Sequence, residues 1–532
     1  MQEWRPHNVE DVLARWASAT PDALAVKANG SQRTYAELAA DVRRTAAALA
    51  GAGLRKGDHF AICMGNCIEW AELFLAAASI GAVTVPINTR YKPDELAFCL
   101  GHADIKMLAV TDRLLNIDFI AMLRDICPEI DGRLPSRNLP KLETIVVFGG
   151  DVPTGCIAAA ELTSAAVRLP ANVSPDDVLL IQFTSGTTAN PKGVVLTHEG
   201  MLRDGWEAGR RLGLEPGDRY YSPRPLFHVA GTTMSLLASL EAGACYITST
   251  TFKVEEALER LESEACTHTS GNDTMFLMMM NHPTFPERRF ALRAAWAAAT
   301  PAVMQQIHDR MGIGGICAAY GMSECSGNIA ISPADEQLEV RIAGYAEPLP
   351  DVEIRIVNTE TGAECPAGMT GEIWVRGWNV MRGYYKQPEE TDQVIDQDKW
   401  LHTGDLGVCD EQGRLAFVGR LKDTIRVGGE NVSPADVENV LHEHPAVKQA
   451  QVVGVPDARL GEVVAAYLVL NENAEVDSDE ITRWAAQRCA NFKVPRYVRF
   501  VETFDGIGMT ASAKVQKRKL REYAIKELGL NS

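Results

Sequence analysis

Strand-like and helix-like patterning alternate along the first half of this chain, and that alternation limits the fold more than any other feature. Residues 35–52 place apolar side chains at helical spacing behind a capping Thr34. His59-Phe60-Ala61-Ile62-Cys63-Met64 reads as a strand, residues 70–79 as a helix, and Ala82-Val83-Thr84-Val85-Pro86 as the next strand. Met107-Leu108-Ala109-Val110 and Thr144-Ile145-Val146-Val147-Phe148 continue the series. Strands that alternate with helices build parallel sheets with helices on their faces, so the expected class is α/β. The longest apolar stretch, residues 73–87, is too short for a bilayer and contains Gly81 and Pro86. It predicts a buried helix followed by a strand, with no integral membrane segment. Proline and charge between residues 128 and 142 mark a loop.

The patterning changes twice further on. Val352-Glu353-Ile354-Arg355-Ile356-Val357 and Gly371-Glu372-Ile373-Trp374-Val375-Arg376 alternate at period two. That predicts half-buried antiparallel strands in a small β-barrel. From Lys422 onward a helix (434–442), two strands (449–455 and 463–470) and a helix (478–489) form an α+β unit. A boundary is therefore expected near residue 422, dividing the chain into 1–421 and 422–532. The full length of 532 residues is too long for one ordinary domain. A net charge of −18 argues against nucleic acid as a main partner, because phosphate backbones select basic surfaces. It leaves room for a small anionic ligand at a local positive site. The twelve cysteines are scattered with no zinc-like Cys/His spacing, as expected of reduced thiols in a cytoplasmic protein. The N-terminus lacks the basic-then-apolar pattern of a signal peptide.

One polar stretch stands out. Thr184-Ser185-Gly186-Thr187-Thr188-Ala189-Asn190-Pro191-Lys192-Gly193 follows the apolar strand Val178-Leu179-Leu180-Ile181. Small residues let backbone N–H groups approach an anion, hydroxyls add donors, and lysine adds a point charge. The pattern predicts a phosphate grip. It is not a Walker A loop, because Pro191 precedes Lys192 and Gly193 follows it. A polar surface turn without a ligand is the alternative.

The same stretch resembles the phosphate loop of adenylate-forming enzymes, the superfamily of acyl-CoA synthetases, luciferases and peptide-synthetase adenylation domains. Five further motifs follow in that family's order. They are Pro225-Leu226-Phe227-His228, Tyr320-Gly321-Met322-Ser323-Glu324, Thr403-Gly404-Asp405, Gly419-Arg420-Leu421-Lys422-Asp423 and Thr510-Ala511-Ser512-Ala513-Lys514. The resemblance spans nearly the whole chain. It implies a large N-terminal region of two sheet-and-helix subdomains plus a small barrel, followed by a mobile C-terminal domain. It also implies a two-step reaction. A small-molecule carboxylic acid attacks ATP to give an acyl-adenylate and pyrophosphate, and CoA then takes the acyl group and releases AMP.

By resemblance, Lys514 reaches the α-phosphate and the acid, although basic neighbours also suit a solvated lysine. Thr184, Ser185, Gly186, Thr187, Thr188 and Lys192 grip the phosphates. Glu324, assisted by Thr184, holds Mg2+, since a hard cation requires an acidic oxygen ligand. Tyr320 lies against adenine, next to Gly321, Met322 and Ser323, with Ala298 and Ala299 on the adenine side. Asp405 and Arg420 take the ribose. Lys422 is the hinge, and Gly428, Gly429 and Glu430 pass the pantetheine arm of CoA, unless that stretch is only a hairpin turn. His228 is a gate or a packed histidine. The acyl pocket draws on His228, Asn272, Met275, Ala298, Met322 and Gly327, while the run Met278-Met279-Met280 reads as core.

Four positions depart from the family pattern. Ala189 and Ala513 replace glycines, Arg426 stands where lysine is common, and Ala297-Ala298-Ala299-Thr300-Pro301 replaces a glycine-rich segment. Positive φ at either of the first two alanines costs on the order of 1 kcal/mol. The leading expectation is a carboxylic acid–CoA ligase, with a homodimer left open. Its rivals are an adenylating enzyme that delivers to a carrier protein or oxidises its product, and a degenerate nucleotide-binding homologue.

Overall fold

A computed structural model of the chain describes residues 4–162, 172–184, 191–428, 430–472, 474–509 and 515–530. The chain folds as two compact units. The first comprises Met1–Ser270, Gly321–Ile329 and Arg376–Lys399, and the second Gly271–Tyr320, Ala330–Val375 and Trp400–Ser532.

In the first unit, Thr34 starts the helix Tyr35–Gly51 with a capping box, its side chain accepting from Glu37 while Glu37 reaches back. The apolar stretch 73–87 resolves as expected. Helix Ile68–Ile80 ends at Gly81, whose φ of +78° suits glycine, and the strand Val83–Pro86 follows. A seven-stranded sheet orders its strands as Lys192–Thr197, Val178–Thr184, Val83–Pro86, His59–Cys63, Ile105–Thr111, Thr144–Phe148 and Ile157–Ala158. Pairing is parallel from Val178–Thr184 across to Ile157–Ala158. Only the edge pair, Val178–Thr184 with Lys192–Thr197, is antiparallel. Only seven residues, 185–191, connect the two strands, and a parallel pair would need a long crossover. A second set of strands pairs Leu24–Ala28 with both Ser31–Thr34 and Cys245–Thr248, and Arg219–Tyr221 with both Cys245–Thr248 and His268–Asn272.

In the second unit, Ala294–Ala298 and Gly315–Tyr320 pair in parallel. The stretch expected to form a small barrel forms a five-stranded sheet, antiparallel from Tyr345–Ala346 across to Gly371–Gly377. Its order is Tyr345–Ala346, Leu415–Arg420, Leu401–Cys409, Gly371–Gly377 and Val352–Val357. Beyond residue 424, a further sheet is built on the long hairpin Val447–Asp457 and Gly461–Leu470. One of its faces buries Val437, Leu441 and Ile481 from the helices Pro434–His442 and Ser478–Ala486. The other buries Leu520 and Ala524 of the helix Lys517–Glu527. All twelve cysteines are free thiols. Among the described residues no helix is long and apolar enough to cross a membrane.

Candidate active site

Thr184 ends one strand of the edge pair and Lys192 begins the other, so register sets the two opposite each other. The intervening Ser185, Gly186, Thr187, Thr188 and Ala189 lie outside the described residues. Thr184 and Lys192 are both half-buried. The Lys192 ammonium sits 4.8 Å from the centroid of the Tyr384 ring, within cation–π range. Tyr384 is there because residues 382–385 run alongside Lys192–Thr197. Arg382 N–H donates to Val195 C=O at 3.0 Å, Val195 N–H to Gly383 C=O at 3.0 Å, and Tyr385 N–H to Gly193 C=O at 2.7 Å.

The Tyr384 hydroxyl donates to Glu324 Oε1 at 3.0 Å. Burial, and after it the Glu324 charge, pushes this phenol far above its ordinary range, so it stays a donor. Glu324 lies in the 3₁₀ turn Ser323–Cys325, and its carbonyl accepts the Met381 N–H at 2.8 Å. Ser326 and Gly327 follow with φ of +60° and +142°. Holding a serine in the left-handed region costs about 1–2 kcal/mol, and the surroundings fix it there. Asp204, on the helix His198–Leu212, accepts the Asn328 backbone N–H at 2.6 Å and also its side-chain amide. The Asn379 amide donates to Asn328 C=O at 2.8 Å, and the Ser326 hydroxyl to Asn379 C=O at 2.9 Å. Gly321 has no substitute, because a Cβ there would stand 1.9 Å from the Gly327 carbonyl oxygen. Gly321, Met322, Ser323 and Gly327 thus share one constrained turn with Glu324. Burial pushes the Asp204 carboxyl up to about 8, against the hydrogen bonds from Asn328.

A magnesium ion takes one or two carboxylates and completes its shell with phosphate oxygens and water. A half-buried Glu324 oriented by a neutral donor suits that need. Among the described residues no group of three or more His, Cys, Asp or Glu forms an all-protein metal cage.

The second unit holds another group of expected contacts. Strand pairing sets Asp405 opposite Arg420, and Arg420 Nε lies 3.3 Å from Asp405 Oδ1. The Tyr320 hydroxyl donates to Asp405 Oδ2 at 3.0 Å. The Tyr320 ring stacks on Phe417 with centroids 5.5 Å apart. Gly404, at φ +68°, makes the bend before Asp405 and donates its N–H to Glu372 Oε1 at 3.0 Å. The Thr403 hydroxyl accepts the Asp405 N–H at 3.1 Å and donates to Ile373 C=O at 2.7 Å. Thr403, Gly404, Asp405, Arg420, Leu421 and Lys422 line an open recess of about 250 Å³. Lys422 is exposed there, in the 3₁₀ turn Leu421–Asp423.

The remaining expected residues fall in both units. His228 is exposed, and its Nδ1 accepts the Ala230 N–H at 3.1 Å, just ahead of the π-helix Thr232–Leu237. Asn272 caps the helix Asp273–Met280 by accepting the Met275 N–H at 3.0 Å, and Met275 is buried. Ala298 ends its strand, Ala299 follows, and Thr300 N–H donates to Asp273 Oδ1 at 3.1 Å. Of the expected acyl-pocket residues, His228, Met322 and Gly327 belong to the first unit, and Asn272, Met275 and Ala298 to the second. Gly428, at φ +61°, turns between the paired strands Ile425–Val427 and Glu430–Val432. Gly429, Ala513 and Lys514 lie outside the described residues.

The sequence matches the family model of AMP-binding enzymes over residues 13–385, and that of the AMP-binding enzyme C-terminal domain over residues 436–514. The chain belongs to the AMP-binding enzyme family. It is 34% identical to the mitochondrial medium-chain acyl-CoA ligase ACSF2 of Bos taurus, over 97% of this chain and 87% of that one. It is 37% identical to YngI of Bacillus subtilis (strain 168), over 98% of each chain. Among solved structures it resembles the anthranilate CoA ligase AuaEII in complex with anthranoyl-AMP, with a TM-score of 0.88 at 25% identity over 100% of both chains. ATP-bound MatB from Rhodopseudomonas palustris matches with a TM-score of 0.84 at 28% identity, over 98% of this chain and 100% of that one. The mixed α/β class read from the patterning is the class of these enzymes.

In this AMP-binding enzyme, sequence reasoning passed over Tyr384, Glu372, Phe417 and Asp204. Asp204 left a readable signal, since it sits three residues after Met201 and four before Ala208 on the buried stripe of an amphipathic helix. Tyr384 left none, because it follows a turn after the strand Gly371–Gly377, where periodicity stops.

Proposed function

We propose that this AMP-forming carboxylic acid–CoA ligase acts on a medium-length acid with ATP, Mg2+ and CoA. The acid oxygen attacks the α-phosphorus of ATP and pyrophosphate leaves. The CoA thiol then attacks the acyl carbonyl and AMP leaves. The observation that carries the nucleotide reading is a cation and a carboxylate, Lys192 and Glu324, presented on one tyrosine. Phosphoryl chemistry relies on such placed charges more than on covalent help from the protein. The choice of acid is supported by the similarity to ACSF2 along almost the whole chain.

In this reading Lys192, Thr184 and the hydroxyls of Ser185, Thr187 and Thr188 receive phosphate oxygens, with Gly186 admitting close approach. Glu324 and Thr184 hold Mg2+, which neutralises charge on the departing pyrophosphate. Tyr320 flanks adenine near Ala298 and Ala299, and Asp405 and Arg420 fix the ribose. Lys514 supplies positive charge at the α-phosphate. Lys422 is the hinge of a C-terminal domain spanning 422–532, His228 gates the thiol path, and Gly428 with Gly429 and Glu430 admits CoA. The enzyme works in the cytoplasm, and light scattering distinguishes monomer from homodimer.

The test is AMP and thioester formation from ATP, Mg2+ and a panel of acids, with and without CoA. Medium-length acids are expected to give CoA thioester and AMP in equal amounts. AMP without thioester reassigns the acyl acceptor. No AMP with any acid ends the ligase reading.

A further inference from the structure

We propose that Tyr384 is a positioning residue that orients Lys192 with its ring and Glu324 with its hydroxyl and keeps the two from pairing with each other. The proposal rests on the reading of Lys192 as a phosphate contact and Glu324 as the metal carboxylate.

Two parts of one side chain do separate things. The ring takes the Lys192 ammonium 4.8 Å from its centroid, and the hydroxyl donates to Glu324 Oε1 at 3.0 Å. A lysine and a glutamate on the two ends of a phenol face a simpler alternative, which is to pair directly. Direct pairing neutralises both, and neither then serves a triphosphate or a cation. The phenol gives each a neutral contact in place of the other, a π-face for Lys192 and a hydroxyl donor for Glu324. No ion pair joins Lys192 to a carboxylate among the described residues.

The tyrosine itself is fixed. Its N–H donates to Thr391 Oγ1 at 2.9 Å, and its backbone bridges antiparallel to Val194. The preceding Gly383 adopts φ +140° against the Thr391 side chain, a conformation that suits glycine. The strand that carries Lys192 therefore also carries the backbone that aims Tyr384. An ordinary packing role predicts none of this division, because packing does not distinguish hydroxyl from ring.

Substitution separates the two parts. Tyr384→Phe keeps the ring and removes the donor, whereas Tyr384→Ala removes both. The readout is ATP binding by calorimetry on the full chain, titrated with Mg2+ and repeated in EDTA, with thermal melts to confirm folding. For Tyr384→Phe, the Mg2+ concentration giving half-maximal enhancement of ATP binding is expected to rise about tenfold, as for loss of one hydrogen bond to a charged group. Binding in EDTA should stay within about twofold of the wild type, since Lys192 keeps its support. Tyr384→Ala should weaken binding in EDTA as well. Glu324→Gln is the control. If Glu324→Gln abolishes the Mg2+ effect and Tyr384→Phe leaves it unchanged, the proposal fails and the metal reading stands. If Glu324→Gln also leaves it unchanged, both fail. Equal losses in EDTA for Phe and Ala would likewise overturn the division between ring and hydroxyl.

Discussion

Glu324 in the first unit and Asp405 in the second are both carboxylates with proposed binding roles, and they are held in opposite ways. Asp405 is only 4% exposed, and strand register sets it opposite an arginine, with the guanidinium on one oxygen and a phenol on the other. Glu324 is half-buried on an irregular turn and receives a phenol from a residue 60 positions away. A carboxylate matched to a guanidinium has its charge largely balanced and becomes an oriented acceptor, which suits neutral ribose hydroxyls. A phenol on a carboxylate adds an orienting donor that brings no charge of its own, which is compatible with a cation. The two proposed roles are distinguished by the phenol on Glu324 and the guanidinium on Asp405.

Glu324→Gln is the substitution with the largest expected effect. It preserves shape and removes the charge, so adenylation should fall by about 10²–10³ in rate and lose its response to Mg2+, with the KM for CoA unmoved. Pyrophosphate exchange across a Mg2+ series measures it. Asp405→Asn should instead raise the KM for ATP by about 10- to 100-fold and lower kcat much less, because it disturbs binding common to ground and transition states. If both variants gave the same kinetic signature, the contrast between the two carboxylates would collapse. A finer probe is Glu372, which receives the Gly404 N–H and so aims the bend before Asp405. Glu372→Gln keeps an acceptor and should raise the KM for ATP by about threefold or less, and Glu372→Ala by about tenfold. A response to Mg2+ in either Glu372 variant would mean that the ribose and metal roles are not separable.

The two carboxylates also show what the sequence could and could not disclose. Asp405 and Arg420 were found through family motifs, and the strand pairing that sets them opposite each other was not read from the patterning. The helix cap at Thr34 and the helix-then-strand reading of residues 73–87 were legible, since each depends on neighbours within one or two turns. Glu324 was likewise found through a family motif. Its support comes from Tyr384, Asn379 and Asp204, all far along the chain, and no periodicity connects them. The antiparallel edge pair at Thr184 and Lys192 was also missed, because alternation of strands and helices predicts parallel neighbours and says nothing about a loop-connected edge.

Asp204 gives the smallest expected effect on activity and the sharpest test of how the Glu324 turn is held. Its carboxyl is fully buried and pushed up to about 8, whereas an unfolded aspartate titrates near 3.9. Between about pH 4 and pH 8 the unfolded chain has lost this proton and the folded chain keeps it. Stability then falls as pH rises, by about 1.4 kcal/mol per pH unit for one proton. The contribution is fully present below pH 4 and is lost as pH passes through 8. Asp204→Asn retains an acceptor for the Asn328 N–H and removes the titration. Its denaturation free energy should lose that downward slope and exceed the wild type near pH 8, while adenylation at neutral pH changes by less than about threefold. Urea titrations of both proteins from pH 5 to pH 8.5 measure the difference. Parallel slopes would mean that Asp204 is ionised inside the fold. The Glu324 turn would then be anchored by a buried charge, and the two carboxylate sites would resemble each other more than their partners indicate.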